Sequence, residues 1–185
     1  SRKRSRPRRS NVLRSHCKGA KCWHRMVAST GLPFAQTIVS IQDHSCRQGW
    51  FGEFVTPYLT RLVRGYRSQD FYVIKHTYGI IIPILDQLVE GPPHALHFLD
   101  PQGDVDMAEV KRLVGDQVCL IGNVNFGLLD SGTDQACIDP ARYALEKGMP
   151  GGGFIFSTSN CIYTGMRLER YELILDVWRE YGVYS

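Results

Sequence analysis

The first 25 residues contain no acidic side chain, the whole chain of 185 residues contains only six cysteines, and long apolar runs are missing. Each shortage excludes something. The longest near-continuous apolar stretch, residues 79–85, is interrupted by Pro83 and falls far short of the ~20 residues that span a bilayer. No membrane helix is expected. Six cysteines at irregular spacings, with no secretory hydrophobic stretch at the start, argue against a disulfide scaffold and for a reducing cytoplasm. His16, Cys17, Cys22 and His24 match none of the usual zinc-finger spacings. The chain has no G-x-G-x-x-G or Walker loop, no His-Glu-x-x-His run and no Ser/His/Asp order, so dinucleotide binding, zinc proteolysis and nucleophilic hydrolysis gain no support.

What is present divides unevenly. Ten Lys and Arg crowd the first 25 residues, while the rest carries twelve bases against eighteen acids, so the net charge of +4 hides a basic leader on a mildly acidic body. Clustered Arg2, Lys3, Arg4, Arg6, Arg8 and Arg9 are able to neutralise phosphates, but no aromatic interleaving accompanies them, and nucleic acid is not the expected partner. Residues 1–36 read as a basic leader unrelated to the body. Residues 37–185 read as one globular portion, since 43% apolar and 22% charged residues suit a packed core.

From Thr37 onward, short β-branched or aromatic runs alternate with amphipathic segments, as in successive βα units. Strands are predicted over 37–42, 71–76, 95–99, 117–124 and 153–157, each apolar enough to be covered on both faces. Between them, Phe51, Phe54, Val55, Tyr58, Leu59, Leu62, Val63 and Tyr66 predict a helix that ends near Gly65 and buries that face. Ile81 to Leu88 predicts a second helix with Pro83 in its first turn. Val110 to Val114 predicts a third, closed by Gly115 in the left-handed conformation. Asp139-Pro140 predicts a break between Thr133 and Gly148, and Leu168 to Trp178 the last helix, stopped at Gly182. Five such units without a Gly-rich phosphate loop favour part of a (β/α)₈ barrel over an open doubly wound sheet.

In a parallel α/β fold, ligands meet the carboxyl ends of the strands. The polar residues there are Asp43 and His44, His76, Asp100, Asn123 and Asn125, then Ser157, Ser159 and Asn160. Histidine is suited to general acid work or to metal; the asparagines offer donors and acceptors without charge. Among the cysteines only Cys161 lies near this rim.

Asp106-Met107-Ala108-Glu109-Val110-Lys111, Gly122-Asn123-Val124-Asn125, the run from Gly152 to Asn160 and the closing Glu180-Tyr181-Gly182 together resemble the carboxyl-terminal part of the uroporphyrinogen decarboxylase family. The resemblance implies an α/β fold, a partial (β/α)₈ barrel of about its last five units with parallel strands. It implies a carboxy-lyase that works without cofactor on the acetate side chains of a porphyrinogen. His76, Asn160 and Tyr163 would be catalytic, and Asp43, Tyr78, Asn123, Asn125 and Ser159 would bind a tetrapyrrole-like substrate. The alternative is a methyltransferase of the same family serving corrinoid proteins. Its zinc would sit on a His-x-Cys that corresponds here to His76-Thr77-Tyr78, with Cys161 one residue away from the later thiol position, so no metal is expected. The arginines that clamp the decarboxylase substrate belong to the family's amino-terminal half, so this chain alone is expected to be catalytically silent. Unpaired strands 37–42 and 153–157 would favour self-association or a homodimer.

Overall fold

The computed structural model describes residues 48–77 and 79–184. The basic leader, the predicted strand 37–42 and the candidates Asp43, His44 and Tyr78 lie outside the described residues. The rest is an alternation of helices and parallel strands: α1 Thr56–Ser68, β1 Ile74–His76, α2 Leu85–Glu90, β2 Ala95–Leu99, α3 Met107–Val114, β3 Cys119–Val124, α4 Phe126–Ser131, α5 Asp134–Gly148, β4 Phe154–Thr158 and α6 Leu168–Tyr181. A π-helical turn, Phe51–Val55, leads into α1, and 3₁₀ turns precede α2 and α3.

The sheet order is β1-β2-β3-β4 and every pair is parallel. Winding that always proceeds in one direction has no reversal of strand order, the feature at which an open doubly wound sheet binds its ligand; it is the winding of a barrel wall. The helices cover one face with a continuous core that includes Leu85, Leu88, Leu96, Leu99, Val110 and Leu120. Alternate residues face the other way, where Ala95, Cys119 and Ile121 form a second apolar cluster with Ile74 and Ile155.

Four expectations need correction. The strand predicted over 71–76 is laddered only from Ile74, because the Val73 N–H donates to the His94 ring at Nδ1, 2.9 Å away, and a side chain takes the place of a backbone partner. On the first helix Phe51, Leu59 and Val63 are buried, but Phe54, Tyr58 and Leu62 are exposed, since the apolar pattern is wider than the face the sheet can cover. That helix also runs past Gly65 to Ser68. Gly115 has φ −65°, in the right-handed region, so its role is not a left-handed cap.

The fourth concerns α5, which runs unbroken through Pro140. A proline removes one donor and crowds the preceding turn. Here Thr133 caps the helix by accepting from Ala136 N, and Cys137, Ala141, Ala144 and Leu145 are buried along one face on both sides of the proline. Packing holds the two turns in line.

Candidate functional site

The polar residues at the strand ends separate into two groups. On β1 and β2, His76 and His97 are register partners. Each stands two residues beyond a member of the second apolar cluster, Ile74 and Ala95, and so projects to that side of the sheet. Their rings meet edge-on with centroids 4.9 Å apart and planes at 65°, and the two Nδ1 atoms are 3.0 Å apart. Two ring nitrogens at that distance need one hydrogen between them, carried by one ring only. Burial pushes His97 down to about 4, with the neighbouring His76 adding to the shift. His76 is also lowered, first by burial and then by the Lys75 ammonium. Both imidazoles are therefore neutral near pH 7.

Lys75 lies between Ile74 and His76 and turns to the opposite face. It is only 1% exposed, and its Nζ donates to the His76 carbonyl at 2.6 Å. No carboxylate among the described residues pairs with it, and burial lowers it to about 8. Thr77, the next residue past β1, is fully buried, and its hydroxyl has no hydrogen-bond partner among the described residues.

The second group ties the rim together. Asn125 caps α4 by accepting from Gly127 N at 3.0 Å and also accepts from Gln102 Nε2 at 2.9 Å. Ser159 is fully buried; its N–H donates to the Val124 carbonyl at 2.7 Å and its Oγ accepts from Phe126 N at 3.3 Å. Asn160 accepts from Cys161 N through Oδ1 at 2.7 Å, and its own carbonyl accepts from Thr158 Oγ1 at 2.7 Å. Asp100 accepts from Gln102 N to start a 3₁₀ turn. These contacts are local turns and caps, in which short polar side chains satisfy backbone donors that no ladder reaches.

Asn123 is 5% exposed, and its Nδ2 donates to the Val105 carbonyl at 3.3 Å. It lines a cleft of about 600 Å³ between the loop before α3 and the middle of α5, together with Asp104, Asp106, Pro140 and Tyr143. The Tyr143 hydroxyl donates to Asp106 Oδ1 at 2.6 Å, and this bond raises the phenol's pKa. Of the six predicted site residues among those described, Asn123 alone lines this cleft. Tyr163 is 48% exposed and is not among its lining residues. The expected set is thus brought together only in part: Asn125 and Ser159 bracket one junction, His76 lies on the side of the second apolar cluster, and Asn123 belongs to the cleft.

His97 and Lys75 are the residues that sequence reasoning passed over. The signal for His97 was its place in Ala-Leu-His-Phe-Leu, a lone polar residue at period two from Ala95. The signal for Lys75 was a charge inside an apolar run.

A one-way parallel βα sheet with ionisable residues at its strand ends defines a barrel-type α/β protein. The family model described as uroporphyrinogen decarboxylase (URO-D) matches residues 42–181, and the chain belongs to that family. In shape it is similar to a methyltransferase from Methanosarcina mazei, with a TM-score of 0.66 and 16% identity over 94% of this chain and 48% of that one. The chain therefore carries part of a barrel and spans about half the length of that relative. A comparison with curated proteins gives no match.

The methyl-transferring branch implies zinc. Tyr78 stands where its thiolate would be, Cys161 is an exposed free thiol, and among the described residues no three His, Cys, Asp or Glu side chains converge as a ligand set. The donors among the described residues do not make a zinc site of three or four ligands.

Proposed function

We propose that this chain is the carboxyl-terminal portion of a carboxy-lyase that decarboxylates acetate side chains on a porphyrinogen or a similar electron-rich tetrapyrrole. The observation that carries the reading is the pair of imidazoles that meet across adjacent strands, His76 at the carboxyl end of β1 and His97 at the centre of β2. Such a reaction breaks one carbon–carbon bond, leaves its electron pair on the ring system, releases carbon dioxide and consumes one proton at the new methyl carbon. The protein's task is then to deliver a proton and to hold carboxylates away from water. His76 fits the first task, because a desolvated imidazole beside a second imidazole can gain and lose a proton without a large change in its surroundings. The second task falls to partners from the rest of the barrel, since Asn123 lines a separate cleft and Asn160 Oδ1 is engaged by Cys161 N.

The test is anaerobic incubation of uroporphyrinogen with this chain and with the longest natural protein that contains it, followed by separation of the oxidised porphyrins. Stepwise loss of carboxyl groups by the longer protein, abolished by His76→Ala, is the expected result. A well-folded longer protein that releases no carbon dioxide sinks the reading. The likeness to a methyltransferase favours a second reading, methyl transfer from a corrinoid to a thiol. Stoichiometric zinc lost on His76→Ala, with methyl transfer restored by metal, would establish that reading in place of decarboxylation.

A further inference from the structure

We propose that His97 is a positioning residue that accepts a hydrogen bond from His76 Nδ1–H, so that His76 is held as its Nδ1–H tautomer and works through Nε2. The inference deepens the proposed proton-handling role of His76 and rests on that reading for its purpose, but the geometry behind it stands by itself. The Nδ1 atoms are 3.0 Å apart across directly paired strand positions, so the hydrogen bond is fixed by the ladder and not by flexible loops.

The direction follows from what the bond must survive. A proton-transferring imidazole alternates between a neutral form and a cation with hydrogens on both nitrogens. If His97 were the donor, every protonation of His76 would set two N–H groups against each other at 3.0 Å. If His76 is the donor, the same bond is present in both forms: Nδ1–H points at His97 throughout, and Nε2 alone gains and loses the proton. His97 then carries its single hydrogen on Nε2. Its deeper burial suits this assignment, because it is the ring that stays neutral.

Side-chain ¹⁵N correlation spectra of the uniformly labelled chain at pH 7 read each ring's tautomer directly and need no substrate. In the wild type, His76 should appear with a protonated Nδ1 and a pyridine-like Nε2. His97→Phe removes the acceptor and should shift the His76 tautomer ratio by about tenfold toward the Nε2–H form that a free imidazole prefers, the factor expected for one lost hydrogen bond. His97→Asn, whose Oδ1 takes the place of Nδ1 and accepts, should restore the wild-type pattern and guards against a fold lost in the phenylalanine variant. His76 found as Nε2–H in the wild type, an unchanged ratio in a folded His97→Phe, or both Nδ1 atoms bound to stoichiometric zinc would each overturn the proposal. A fixed Nδ1–H tautomer without decarboxylation would count against the proposed function and leave this assignment intact. Decarboxylation with the opposite tautomer would do the reverse.

Discussion

Replacing Lys75 by methionine should stabilise this protein at neutral pH and should lose that advantage in alkali. The lysine is 1% exposed, it donates to the His76 carbonyl, and no carboxylate among the described residues pairs with it. Burial moves its ammonium from the ordinary 10.5 to about 8. Such a drop means that charging Lys75 in the folded chain costs about 3 kcal/mol more than in the unfolded chain. Methionine has a similar length and no charge, so it removes the cost; leaving the His76 carbonyl without its donor returns about 1 kcal/mol. The expected gain at pH 7 is about 2 kcal/mol, read as a higher urea midpoint at unchanged slope. The pH dependence follows from linkage. Below pH 8 both folded and unfolded wild-type chains hold the proton and the penalty is full. Between pH 8 and 10.5 the unfolded chain binds more protons than the folded one, so wild-type stability rises with pH while the variant's does not. Above 10.5 the two curves should have met or crossed. The same substitution removes a positive neighbour from His76, whose pKa should rise in an NMR titration. A variant less stable than wild type at pH 7, or a gain that persists unchanged to pH 11, would refute the account of Lys75 as a desolvated cation.

Three further outcomes are expected. Thr77→Val should stabilise by about 1 kcal/mol in the same denaturation assay, because the fully buried hydroxyl has no partner among the described residues and the two side chains share a shape. Gly148→Ala should destabilise by about 1–3 kcal/mol, since the added Cβ would stand 2.5 Å from the Phe154 ring where α5 closes on β4. Of the three described cysteines, Cys161 should be alkylated in the native protein within minutes, while Cys119 and Cys137, both buried, should react only on unfolding; peptide mapping by mass spectrometry distinguishes them.

The strands were legible where one physical signal decided them. Ala95–Leu99, Cys119–Val124 and Phe154–Thr158 are short apolar runs bounded by turn residues, and their predicted positions differ from the observed ones by two residues at most. Misreadings arose where a second interaction competed. Val73 has a backbone donor like any strand residue, but the His94 ring captured it; Asp139-Pro140 carries a local break signal, but the burial of Ala141 and Leu145 outweighed it. Neither competitor is visible from spacing, since both depend on which distant residue is brought near. The same holds for the width of the first helix's apolar face. Phe54 and Tyr58 follow the helical period faithfully, and the period does not say how much of that face a neighbour covers.

The strand-end residues show the limit in sharper form. Sequence reading selected them by residue type and by position just past an apolar run, and both criteria are met equally by a side chain that works on a ligand and by one that ends a turn. Asn125, Ser159 and Asn160 each satisfy backbone groups within a few residues or across one junction, so the same donors and acceptors that made them candidates are already committed. His76 differs because its partner comes from a neighbouring strand 21 residues away, and a parallel register cannot be read from a sequence in which a whole helical crossover separates the two strands. Once the register is known, the chemistry is constrained: two imidazoles side by side, each lowered by burial, with a buried ammonium behind one of them. A structural histidine pair would gain stability from a nearby carboxylate that let it charge. Here the Lys75 ammonium opposes charging of His76. The buried ammonium costs stability at Lys75 and opposes charging of His76, the trade expected if the proposed proton handling at His76, and not packing, is what the pair is held for.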